Sequence, residues 1–178
     1  PKIFGDRSNV NVNTGNGKMI FEINDRNSEL FAYYVFDNFT YTDVQLETTA
    51  INRGKSNNSV SLICRYTNAG WYEFRIANNG LYAIYAHDTI GRISEGDNQL
   101  YNGASNLIKG GRNTNTYVAT CKGNELSLSI NGKSVHTRNE NLFQFSEGKI
   151  GLSVLSFPSY QDEPVIVEFE SLIISAPE

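Results

Sequence analysis

Basic charge, histidine and long apolar runs are all in short supply in this chain. No stretch approaches the eighteen or so consecutive apolar residues of a membrane-spanning helix, so membrane insertion of that kind is excluded. Lys and Arg number 15 against 19 Asp and Glu, a net charge of −4. A nucleic-acid binder that neutralises phosphates wants a clustered basic face, so that class is excluded too. The 178 residues include only four Pro, two Cys, two His, one Met and one Trp. Cys64 and Cys121 are too few and too far apart for a zinc site with paired-cysteine spacing. They read either as two buried thiols, each a small hydrophobe, or as one bridge, which secretion would favour. The chain starts Pro1-Lys2 without Met, which reads as a processed or excised segment.

Asparagine, glycine and aromatics are plentiful instead. The sequence holds 22 Asn, 15 Gly, 10 Tyr and 10 Phe, while charged residues make up 19%, somewhat under the usual quarter. Polar, weakly charged, turn-rich and aromatic-rich composition points to an all-β protein. The chain reads as strand, turn, strand throughout, with helical stripes nearly absent and one short helical turn possible within 98–108. Lys18–Ile23 alternates and ends at an Asn/Asp cluster. Asn78-Asn79-Gly80 and Asn131-Gly132 are hairpin signals, because Asn and Gly tolerate the positive φ of primed turns. Residues 88–103 read as one long polar loop, the segment best suited to function or mobility. About a dozen strands with regular turn signals predict a single domain, a two-sheet antiparallel β-sandwich or jelly roll. One core seam is expected to hold Leu62, Cys64, Tyr66, Tyr72, Phe74, Ile76, Tyr117, Ala119, Cys121, Leu126, Leu128 and Ile130. Cys64 and Cys121 both point inward in that arrangement.

Three strings carry a resemblance: Leu62-Ile63-Cys64-Arg65-Tyr66, Trp71-Tyr72-Glu73-Phe74-Arg75-Ile76, and Cys121-Lys122-Gly123-Asn124-Glu125-Leu126. With Asn131-Gly132-Lys133, Gly148-Lys149-Ile150-Gly151-Leu152 and the closing Phe169-Glu170-Ser171-Leu172, the chain resembles a bacterial branch of the concanavalin A-like lectin/glucanase superfamily. The likeness covers about residues 20 to 175. It implies a concanavalin A-like, laminin G-like jelly roll, a Cys64–Cys121 disulfide and an extracellular or cell-surface location. Function is less constrained, since this fold hosts lectins, carbohydrate-binding modules, adhesion domains and hydrolases.

The chemistry narrows the choice. Family 16 glycoside hydrolases of the superfamily carry Glu-x-Asp-x-x-Glu, whose paired carboxylates flank the scissile bond. Here Glu95-Gly96-Asp97 starts that string, but Leu100 stands where the last acid belongs. His87 and His136 have no neighbouring nucleophile motif and read as surface histidines. Gly15-Asn16-Gly17-Lys18 and Lys109-Gly110-Gly111-Arg112 are too short for phosphate loops. A sugar site needs an aromatic platform beside hydrogen-bonding edges. Trp71, Glu73 and Arg75 alternate on the face opposite Tyr72, Phe74 and Ile76, and Arg65 and Tyr85 on neighbouring strands are expected to join them. The bland alternative is a packed Trp beside a plain Glu73–Arg75 ion pair. The resemblance also implies one structural calcium, with Asp6 and Glu170 at matching positions. The expected function is therefore a non-catalytic extracellular binding module for carbohydrate. An adhesion module for a cell-surface protein is the alternative, and a glycosidase or lyase without the usual motif comes third.

Overall fold

A computed structural model of the chain describes residues 2–4, 7–24, 29–160 and 162–177. They form two seven-stranded antiparallel sheets packed face to face. The front sheet runs β1 (Lys2–Phe4), β4 (Leu30–Tyr41), β13 (Gly148–Ser156), β6 (Asn58–Tyr66), β7 (Gly70–Ala77), β8 (Leu81–Asp88) and β9 (Gly96–Ala104). The back sheet runs β12 (Lys133–Asn139), β11 (Glu125–Ile130), β10 (Thr114–Lys122), β5 (Val44–Asn52), β14 (Val165–Ser175), β3 (Lys18–Ile23) and β2 (Val10–Gly15). Among the described residues the only helical element is one 3₁₀ turn, Arg7–Asn9, so 98–108 holds none.

The period-2 alternation decides what is buried. In β11, Leu126, Leu128 and Ile130 point into the sandwich while Ser127 and Ser129 point away. Tyr117, Ala119 and Cys121 of β10 meet them from the neighbouring strand. The Asn131-Gly132 turn has positive φ at both residues, as a type I′ hairpin requires. Asn131 also accepts a hydrogen bond from Thr116 N–H and donates one to Leu107 O, tying the turn to its surroundings. At the β7–β8 hairpin positive φ is confined to Gly80.

The expected core seam forms with one exception. Arg65 sits at φ 53°, and the β13–β6 register slips beside it. A bulge inverts the alternation, so everything beyond it changes face. Tyr66 therefore leaves the seam and packs on the outer face of the front sheet with Tyr33, Ile63 and Trp71. Cys64, just before the slip, stays inward and bonds to Cys121, joining β6 of one sheet to β10 of the other.

The long loop expected over 88–103 is also revised. Only 89–95 connects, because β9 pairs with β8 from Gly96 to Ala104. The buried Asp88 carboxylate accepts hydrogen bonds from Ile93 and Ser94 N–H and folds that connection tightly. β9 is an edge strand with polar, exposed residues, the composition that keeps an edge from recruiting another chain.

Candidate functional site

Trp71, Glu73 and Arg75 share the outer face of the front sheet, as their spacing predicts. Their environment is not the open platform expected of them. Trp71 is only 7% exposed. Its ring stacks on His87 at 4.5 Å and is flanked by Tyr66 and Tyr33. Glu73 is 0% exposed. A carboxylate taken out of water must be met by donors or it will not stay charged. Four meet this one. Ser61 Oγ–H and Arg75 Nε–H donate to Oε1 at 2.6 and 3.0 Å, and Tyr33 O–H and His87 Nε2–H donate to Oε2 at 2.9 and 2.6 Å.

His87 is thus a buried residue, not the surface histidine the sequence suggests. It continues the alternation of Tyr85 along β8, and its other nitrogen donates to Asp97 Oδ1 at 2.6 Å. Both ring nitrogens face carboxylates, so the doubly protonated ring satisfies both. Burial pushes its pKa down, but the hydrogen bonds to Asp97 and Glu73 outweigh this and hold it above the ordinary value. For Glu73 burial pushes up, while His87 and Arg75 pull it well below the usual carboxylate range. The chain Arg75–Glu73–His87–Asp97 alternates in sign and balances its own charge.

Beside this network lies a groove of about 460 Å³ across β7, β8 and β9. Arg75, Tyr85, Gln99 and Asn102 line it with Glu29, and Ala77, Leu155 and Phe157 supply apolar surface. The Arg75 guanidinium lies 4.4 Å over the Tyr85 ring and 5.0 Å from that of Phe31. Tyr85 O–H donates to Gln99 Oε1 at 3.2 Å. Of the residues read from sequence, Arg75 and Tyr85 reach the groove, while Trp71 and Glu73 are buried and do not line it.

Arg65 does not join them. The bulge turns it to the end of the sandwich, where it donates to the carbonyls of Thr42, Gly123 and Phe145 and pairs with Asp43. Of the expected calcium pair, Asp6 lies outside the described residues. Glu170 is exposed on β14 with Lys18 Nζ 3.6 Å away. Among the described residues no group of three or more His, Cys, Asp or Glu is placed to hold a metal.

Gln99, Asn102 and Phe157 escape the sequence reading, and Asp97 enters it only as part of an incomplete hydrolase string. A register shift at Ile84/Tyr85 breaks the period of β9 against β8, so no alternation announces Gln99 and Asn102 as neighbours on one face.

No protein-family model and no curated protein matches the sequence. Solved structures do match in shape. The carbohydrate binding module CBM66 from Bacillus subtilis aligns with TM-score 0.69 at 11% identity, over 94% of this chain and 92% of that one. A GH16 enzyme of Bacteroides ovatus in complex with a G4G4G3G product aligns with TM-score 0.64 at 11% identity, over 96% and 86%. The metal-free carbohydrate recognition domain of Emp46p aligns with TM-score 0.62 at 11% identity, over 93% and 85%. The fold is the concanavalin A-like jelly roll. In this jelly roll the groove occupies the outer face of the front sheet, toward its β9 edge.

Proposed function

We propose that this jelly roll is a non-catalytic, extracellular carbohydrate-binding module whose ligand lies in the groove bounded by Arg75, Tyr85, Gln99 and Asn102. The observation that carries the reading is the lining itself. Amide and guanidinium groups converge beside apolar surface, the pairing that sugar hydroxyls and ring faces call for. The fold likeness to a carbohydrate binding module and a carbohydrate recognition domain supports it. A non-catalytic role is supported by Glu73, which is closed off from the groove and held by four donors. An extracellular location is supported by the disulfide, a bond that persists in oxidising compartments.

Affinity electrophoresis through soluble polysaccharides, with a glycan array, tests the reading. Several neutral polysaccharides should be screened and at least one should retard the domain. A Gln99→Ala/Asn102→Ala double variant should run freely while melting at the wild-type temperature, since both side chains are exposed. Free migration of the wild type in every gel would sink the proposal. Capture of a cell-surface protein by the same face would favour the adhesion reading. Release of reducing ends from a retained polysaccharide would make the domain an enzyme.

A further inference from the structure

A second cavity adjoins the groove. Its volume is about 240 Å³, and Ser56, Asn57, Asn58 and Asn79 line it with Ala77 and Phe157. Ala77 and Phe157 also belong to the groove, so the two hollows share a wall. Phe157 is held there by its backbone. Its N–H donates to Asn57 O at 3.0 Å, and Asn57 Nδ2 donates to Pro158 O at 3.2 Å. The side chain is half-buried, its backbone is fixed, and it lines both hollows. That is the placement of a stacking platform between two binding positions.

The charge pattern restricts the occupant. Among the described residues no titratable side chain lines the second cavity, which offers amides, one hydroxyl and an aromatic ring. In the groove, the positive charge of Arg75 is already met by Glu73 at 3.0 Å and by the ring of Tyr85. Glu29 adds a negative charge. Among the described lining residues Arg75 is the one cation, its charge offset by Glu73 and opposed by Glu29, so an acidic glycan gains little there, whereas neutral hydroxyls find donors and acceptors along the trough.

We infer that the site is a two-cavity trough for a neutral oligosaccharide, one stretch in the groove and the next over Ser56, Asn57 and Asn79, with Phe157 stacking between them. The inference rests on the carbohydrate reading above and deepens it. The ligand is a chain, and a single sugar unit occupies only half of the site.

The test uses the intact domain, titrated by calorimetry with cellotetraose, laminaritetraose, mannotetraose and xylotetraose, with their monosaccharides, and with tetragalacturonate. At least one neutral tetrasaccharide should bind tenfold or more tightly than its monosaccharide, and tetragalacturonate should not compete. Ser56→Trp fills the second cavity from an exposed position. It should bring the tetrasaccharide down to monosaccharide affinity. Phe157→Ala should weaken the tetrasaccharide by tenfold or more, with the melting temperature checking that the domain still folds. Full tetrasaccharide affinity in Ser56→Trp, with the Gln99→Ala/Asn102→Ala variant inactive, overturns the second cavity and leaves the carbohydrate reading standing. Preference for tetragalacturonate overturns the neutral ligand. Absence of binding to any of these sugars overturns this inference, and free migration in the polysaccharide gels as well overturns the carbohydrate reading with it.

Discussion

Removing a carboxylate and an imidazolium from water is costly unless each meets its opposite, and Glu73 and His87 meet each other. Their pKa values move in opposite directions, which gives the pair a pH window. A carboxylate held below its ordinary value stabilises the fold at every pH above the unfolded value of about 4.3, and loses this only on acidification through the folded value. A histidine held above its ordinary value stabilises below about pH 6.5, and loses this as pH rises through the folded value. The two overlap between about pH 4.5 and 6.5. The melting temperature of the wild type should therefore fall as pH rises from 6 to 9. Glu73→Gln should cost about 3 kcal/mol at pH 6, because it leaves Arg75 and His87 buried without their partner. His87→Gln should flatten the alkaline fall. A wild-type melting curve unchanged over that range would refute the assignment of His87 as doubly protonated. Trp71 belongs to the same residue-level account. Its spacing showed which face it takes, but not that Tyr33, Tyr66 and His87 would enclose it, since those contacts come from three other strands.

Strands with a clear partner on each side were legible, and an edge strand and a bulge were not. Glu125–Ile130 and Lys18–Ile23 announce themselves because one face is apolar throughout. β9 has solvent beside it, so nothing enforces alternation, and its Gly, Asp and Asn content reads as loop. β6 is buried on both faces, so its composition gives no warning of the slip at Arg65. The slip has a purpose that packing makes visible: it aims a guanidinium at three carbonyls from three loops. Arg65→Ala should destabilise by about 1–3 kcal/mol through those unpaired acceptors. Arg65→Gly loses the same contacts but adopts φ 53° without strain, and should be about 1 kcal/mol more stable than Arg65→Ala. Equal stability of the two in urea titrations would show that the positive φ carries no cost.

At the level of the whole molecule, the sandwich and the pairing of its two cysteines could be anticipated, while the site needed the tertiary structure. The groove draws on the consecutive strands β7, β8 and β9 and on Leu155 and Phe157 at the end of β13, which are remote in the chain and reach the groove only through the tertiary fold. The disulfide has the same long-range character. It links the two sheets across the core and closes a separation of 57 residues. A cross-link of that span removes conformations from the unfolded chain, worth on the order of 4 kcal/mol in the chain-entropy model. Both cysteines are buried, at 1% and 0% exposure, so replacing each by Ala removes a packed sulfur along with the bond. Cys64→Ala/Cys121→Ala should therefore lower stability by about 4 kcal/mol, a fall of roughly 8–16 °C in melting temperature for a domain of this size. The folded sheets hold the two positions together without the bond, so far-ultraviolet circular dichroism of the variant should match the wild type at low temperature. If the oxidised wild type and the variant melted together, the bridge would contribute nothing to the closed sandwich, and the stability would have to be assigned to the packing of Leu62, Phe74, Leu126 and Leu128 alone.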